Sequence, residues 1–130
     1  MSTALMDASC YGRIKIVKLL LEHNADVNIK EYWGNTALIL ASCNGKTEIV
    51  KLLLEHNADV NIQDHNGFTA LSNASSYGRT EIIKLLLEHN ADVNIQKNNE
   101  KTAIDYAEDK DNYYHKHLII LLFLYLLHNL

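Results

Sequence analysis

The strongest constraint on this chain is a block of twelve residues that recurs letter for letter. The string KLLLEHNADVNI occupies residues 18–29, 51–62 and 84–95, a period of 33 residues. The same step links Gly12, Gly45 and Gly78. It also links Thr3, Thr36, Thr69 and Thr102, each followed by Ala and a large aliphatic residue. A fixed period of this length is the signature of a stacked array, in which one unit cannot bury its apolar faces alone and relies on its neighbours. The chain therefore reads as three clear units and a fourth that starts in register and then departs.

The residues inside one unit predict its shape. Thr36 is a helix N-cap for a short run over residues 37–43, its hydroxyl accepting a backbone N–H. Gly45 breaks the chain, and Thr47 is expected to cap a second helix. In that helix Ile49, Val50, Leu52, Leu53 and Leu54 form a broad apolar face, while Glu48, Lys51 and Glu55 stand at i, i+3 and i+4 spacing on the other side. Asn57, after His56, occupies the place where a left-handed residue ends a helix, a conformation asparagine tolerates. Residues 59–69 form an extended, turn-rich link, with Asn66-Gly67 as a hairpin-type turn before the next cap.

A 33-residue unit reading G-x-T-A-L-x-x-A-S-x-x-G-x-x-E-I-V-K-L-L-L-x-x-x-A-D-V-N resembles the ankyrin repeat, over residues 3–106. The resemblance implies an all-α solenoid of stacked helix-turn-helix units carrying β-turn or hairpin fingers. It implies one ankyrin-repeat domain over 1–130, with units near 1–30, 31–63, 64–96 and 97–130. Two departures stand out. The family's T-P-L-H is Thr36-Ala37-Leu38-Ile39 here, in a chain without proline, and the glycine usual before Ala-Asp is replaced by Asn24, Asn57 and Asn90. Such stacks bind other proteins and carry no chemistry of their own, so the expected function is a protein-binding adaptor or scaffold and the expected partner another protein.

Composition narrows the function further. Twelve basic residues against sixteen acidic ones leave a net charge of -4, so there is no basic footprint for nucleic acid. No apolar run reaches the roughly 20 residues of a membrane span. The N-terminus, with Asp7 and no basic-then-apolar order, is not a signal peptide. These features are read as a soluble, cytoplasmic protein. Abundant Asn, Ile, Lys and Tyr with no Pro suggest an AT-rich coding source, such as an intracellular bacterium, a protist or a large DNA virus, whose partner would belong to a host cell.

The residues that invite a catalytic or metal reading are His23, His56 and His89, each beside a glutamate and near Asp26, Asp59 or Asp92. Equivalent residues of stacked units lie about 8 to 10 Å apart, whereas one zinc ion needs its ligands at roughly 2 Å. The ladder is expected to be architectural, its aspartates organising Asx-type turns. Cys10 and Cys43 stand one period apart, too far for a disulfide that wants Cα atoms within about 7 Å. There is no phosphate-binding glycine loop, no G-x-S-x-G elbow and no C-x-x-C pair. His115, His117 and His128 form the only other histidine group and are read as a rim feature. No cofactor, metal or catalytic residue is expected.

Positions that differ between units are free for contact, and they cluster in the loop tips and on the first helices. By resemblance, projecting fingers and the first-helix face form the partner surface. The candidates are Tyr32, Trp33, Asn35, Ile39, His65, Phe68, Ser72 and Asn73. Trp and Tyr are the residues most enriched at binding hot spots. The competing reading is that Trp33 folds over the neighbouring finger as local packing. Asn28, Asn61 and Asn94 match the Asp-Val-Asn position that asparaginyl hydroxylases modify in ankyrin repeats, each with Leu eight residues before.

The fourth unit loses the pattern after Tyr106 and then runs apolar from 118 to 127, LIILLFLYLL. A last repeat normally shows water a polar face, and a helix apolar all round is a buried helix. Leu118, Ile119, Leu122, Phe123 and Leu126 are therefore candidate contacts. They serve self-association of two copies, docking on another protein or a membrane surface, or folding back over the fourth unit.

Overall fold

Threonine hydroxyls start the first helix of each unit. In a computed structural model, which describes residues 2–95 together with Leu124, Leu127 and His128, Thr3, Thr36 and Thr69 adopt extended backbone before α1 (Ala4–Tyr11), α3 (Ala37–Cys43) and α5 (Ala70–Ser76). Their Oγ1 atoms accept from the N–H groups of Met6 at 3.1 Å, Ile39 at 3.2 Å and Ser72 at 3.1 Å. Each cap satisfies a donor that the helix itself leaves without a partner.

A left-handed glycine then turns the chain. At Gly45 (φ +70°) a side chain would be strained, and the turn is closed by Lys46 N–H to Ala41 O at 2.9 Å. The second helices follow at once: α2 (Ile14–Glu22), α4 (Thr47–Glu55) and α6 (Thr80–Glu88). One expectation is corrected here. Thr47 does not cap α4; it is the first helical residue, and the preceding Lys46 provides no side-chain cap. Lys46 O accepts Val50 N–H at 2.9 Å, the donor that a Thr47 cap would take, so the helix begins one residue earlier than the threonine pattern suggests.

The second helices end as the repeated asparagine predicts. Asn24, Asn57 and Asn90 have φ of 61°, 63° and 65°. After α4, Ala58 N–H reaches Leu53 O at 3.0 Å and Asn57 N–H reaches Leu54 O at 3.1 Å, the paired bonds of a Schellman motif. The same two bonds close α2 and α6.

The pairs stack in two layers, α1 on α3 on α5 and α2 on α4 on α6, with each helix also packed on its own partner. Ala8, Ala41 and Ala74 are buried between the first helices, where a small side chain lets backbones approach. Leu38, Ile49, Val50, Leu53, Leu71, Ile83 and Leu86 fill the space between the layers. Among the described residues there is no strand, so the fingers are turns rather than hairpins.

Candidate functional site

The loops that leave the stack are built on short acidic turns. Asp26, Asp59 and Asp92 each accept, through Oδ1, the N–H two residues on, from Asn28, Asn61 and Asn94 at 2.9 Å. The asparagines then reach between units. Asn28 Oδ1 accepts Asp59 N–H at 2.8 Å, and Asn61 Oδ1 accepts Asp92 N–H at 2.9 Å. Turn and bridge alternate along the stack, so the Asp-Val-Asn string is a rail for the array. The three asparagines are exposed. The histidines beside them also serve architecture. His23, His56 and His89 are exposed, and each Nδ1 lies 2.8 to 2.9 Å from the carbonyl oxygen four residues back, which assigns that nitrogen as the donor. Among the described residues no three His, Cys, Asp or Glu side chains come together to hold a metal ion.

The fingers above the rail repeat one device with different residues. In the first, the Glu31 carboxylate accepts N–H from Trp33 at 2.9 Å and from Asn35 at 2.8 Å, while Glu31 N–H donates to Asn35 O at 2.9 Å. In the second, Asp64 does the same for Asn66 and Phe68, both at 2.9 Å, and Asp64 N–H donates to Phe68 O at 2.8 Å. His65 N–H donates to Trp33 O at 2.9 Å and joins the two fingers. A set of carboxylate-to-backbone bonds of this kind holds the tip in one conformation.

That rigid tip carries two exposed aromatic rings. Tyr32 is 71% and Trp33 65% exposed. They meet edge to face, with centroids 4.9 Å apart at 89°. Trp33 is thus not folded over the neighbouring finger; its main chain makes the interfinger bond and its ring stands in solvent.

The other candidates divide. His65 is exposed, and Asn35 and Phe68 are half-buried beside it. Asn73 is half-buried on α5, its amide donating to Thr69 O at 3.1 Å. Ile39 and Ser72 are corrected: both are buried in the stack and present nothing to a partner. They occupy the third helical position after the cap, which is buried in all three described units, Met6 included. Ser72 is also held in a capping box, its Oγ accepting Thr69 N–H at 2.8 Å. The next position faces outward and holds Asp7, Leu40 and Asn73. Leu118, Ile119, Leu122, Phe123 and Leu126 lie outside the described residues.

Sequence reasoning missed Tyr11 and Tyr77, both exposed at the end of the first helices with Asn44 between them in register. The signal was available, because the residue before the invariant glycine is tyrosine in the first and third units and asparagine in the second. These ends are stitched together. Asn44 Nδ2 donates to Cys10 Sγ at 3.5 Å and to Leu40 O at 2.8 Å, and Arg79 Nη2 donates to Cys43 O at 3.3 Å with its guanidinium 6.0 Å from the Tyr77 ring centre. Cys10 and Cys43 are free thiols. The Tyr77 phenol is pushed above its ordinary value by the Cys43 sulfur, which opposes a second negative charge, by a hydrogen bond with Cys43 and by partial burial; the Arg79 cation pulls the other way.

Two family models decide what these units are. One, described as ankyrin repeats in three copies, matches residues 1–64, and another, ankyrin repeats in many copies, matches residues 53–107. The chain belongs to the ankyrin repeat family. Ankyrin repeats are generally protein–protein interaction modules and typically non-catalytic. A search of curated proteins finds no match. No helix among the described residues is long and apolar enough to cross a membrane. Within this ankyrin stack, Tyr32, Trp33, Leu40, Asn44, Asn73 and Tyr77 are the exposed or half-buried residues of the fingers and first helices at positions that vary between units.

Proposed function

We propose that this chain is a cytoplasmic adaptor that binds another protein through its fingers and first-helix face, with Tyr32 and Trp33 as anchors. One observation carries the reading: two large aromatic rings stand in solvent on a tip whose backbone is held by the Glu31 carboxylate. Large exposed aromatics on a preorganised support lose little entropy on binding, and Trp and Tyr dominate binding energy at interfaces. If the AT-rich composition reflects a parasite or virus, that partner is a host protein.

The test is capture from cytosolic extract, followed by titration of the captured protein against the wild type and against the Tyr32→Ala/Trp33→Ala variant. The variant is expected to melt within about 0.5 kcal/mol of the wild type, because both rings are exposed, and to bind at least about 2 kcal/mol more weakly. Equal affinity of the two would remove the anchors.

A second reading, self-assembly through residues 118–127, is favoured by Leu124 and Leu127, which are helical and exposed. Hydroxylation of Asn28, Asn61 and Asn94 is a separate proposal supported by their exposure; an unchanged intact mass after incubation with an asparaginyl hydroxylase would end it.

A further inference from the structure

The first unit leaves uncovered the side that the later units bury. Two grooves between the first and second units show which side this is: one is lined by Tyr11, Ile14, Glu48 and Ile49, the other by Ile14, Lys18, Leu52 and Glu55. Ile49 and Leu52 therefore look back at the unit before them. Their counterparts one period earlier are Ile16 and Leu19. Ile49 and Ile82 are 1% exposed, whereas Ile16 is 49% exposed. Leu19 and Ile29 are likewise exposed where Leu52, Leu85, Ile62 and Ile95 are half-buried, and Val27 is half-buried where Val60 and Val93 are buried. Residue for residue, this is half of the interface that joins units within the chain.

The same chain carries an apolar surface to cover it. The stretch 118–127 holds no charged residue, and its two described residues, Leu124 and Leu127, are helical and exposed. We propose that the leading face of the first unit, centred on Ile16, Leu19 and Ile29, docks residues 118–127 of a second copy, so that copies stack head to tail and continue the repeat array from chain to chain. The inference rests on the reading of 118–127 as an assembly surface and adds its acceptor. Because the two surfaces differ, the contact is heterologous, and nothing in it limits growth to a dimer.

Light scattering on a size-exclusion column, run at several concentrations, tests this on the full chain. The wild type is expected to exceed twice the monomer mass as concentration rises. Ile16→Lys/Leu19→Lys and Leu124→Lys/Leu127→Lys are each expected to stay monomeric. An equal mixture of the two variants is expected to reach twice the monomer mass and stop, since each supplies the surface the other lacks. Far-UV melts check that both variants fold, and Ile16→Ser/Leu19→Ser stands in where lysine disturbs α2. A wild type that is monomeric throughout overturns the inference. So does a dimer that survives the change at Ile16 and Leu19, which would leave 118–127 as an assembly surface with another acceptor. A dimer that survives the change at Leu124 and Leu127 overturns both readings.

Discussion

Asn57 holds a φ of 63° at the end of α4, a conformation that costs an L-residue roughly 1 to 2 kcal/mol and glycine little. Asn57→Gly is therefore expected to stabilise the chain by about 0.5 to 1 kcal/mol, after the extra entropy of the unfolded glycine is subtracted. A thermal melt with no gain would show that the asparagine is held by something its backbone angle does not reveal. Tyr77 offers a second test at the same scale. Its phenol titrates above the ordinary value of about 10 because of Cys43, so the folded chain holds that proton more tightly than the unfolded one. The sign follows: its contribution to stability is complete below pH of about 10 and is lost as pH rises through the folded value. Cys43→Ala should lower the Tyr77 titration toward the ordinary value, read by NMR of labelled tyrosine, and should shrink the alkaline loss of stability in urea melts. The left-handed asparagine was legible from its place after His56; the Tyr77–Cys43 pair was not, because nothing in the sequence spacing sets two side chains from adjacent units against each other.

At the scale of elements, the fingers are held by carboxylates, and their contact with each other depends on one glycine. A Cβ on Gly34 (φ +83°) would stand 2.6 Å from His65 Cδ2 and 2.7 Å from the His65 backbone nitrogen. The second of these is backbone and cannot rotate away. Gly34→Ala is expected to cost about 1 to 2 kcal/mol for the angle alone and to open the His65 to Trp33 bond. The measurements are a urea melt and the amide exchange rate of His65. An unchanged exchange rate would mean that the fingers are independent. The threonine caps and the glycine turns could be read from single residues and their spacing, since both are local devices. The start of α4 could not, because Lys46 O takes the Val50 N–H, at 2.9 Å, that a Thr47 cap would have accepted.

At the scale of the whole molecule, identical strings occupy different environments. Leu20, Leu53 and Leu86 hold the same place in KLLLEHNADVNI, yet Leu53 and Leu86 are completely buried and Leu20 is half-buried against the core. A stack is stabilised by nearest-neighbour interfaces, so a unit with one neighbour is the weaker. Leu53→Ala is expected to cost about 2 to 5 kcal/mol, as fully buried leucines do, and Leu20→Ala measurably less. Chemical denaturation of the two variants checks this, and equal losses would mean that the leading face of the first unit is covered in solution. That outcome would agree with the head-to-tail assembly if it appeared only at high concentration.

The sequence by itself determined the period, the two helices of each unit, the capping threonines, the left-handed asparagines and membership of a repeat architecture. All of these are written in local hydrogen bonding and in apolar spacing that repeats. The tertiary structure alone decided which variable residues meet solvent. Ile39 and Ser72 vary as freely as Leu40 and Asn73, but a step of one residue turns the side chain by about 100° around the helix, and only the position of the neighbouring unit says which of the two directions is filled. It also decided that Trp33 stands outward, and that Ile16 is surface where Ile49 is core. Burial belongs to the stack, and a residue's own letters do not record whether a neighbour is there.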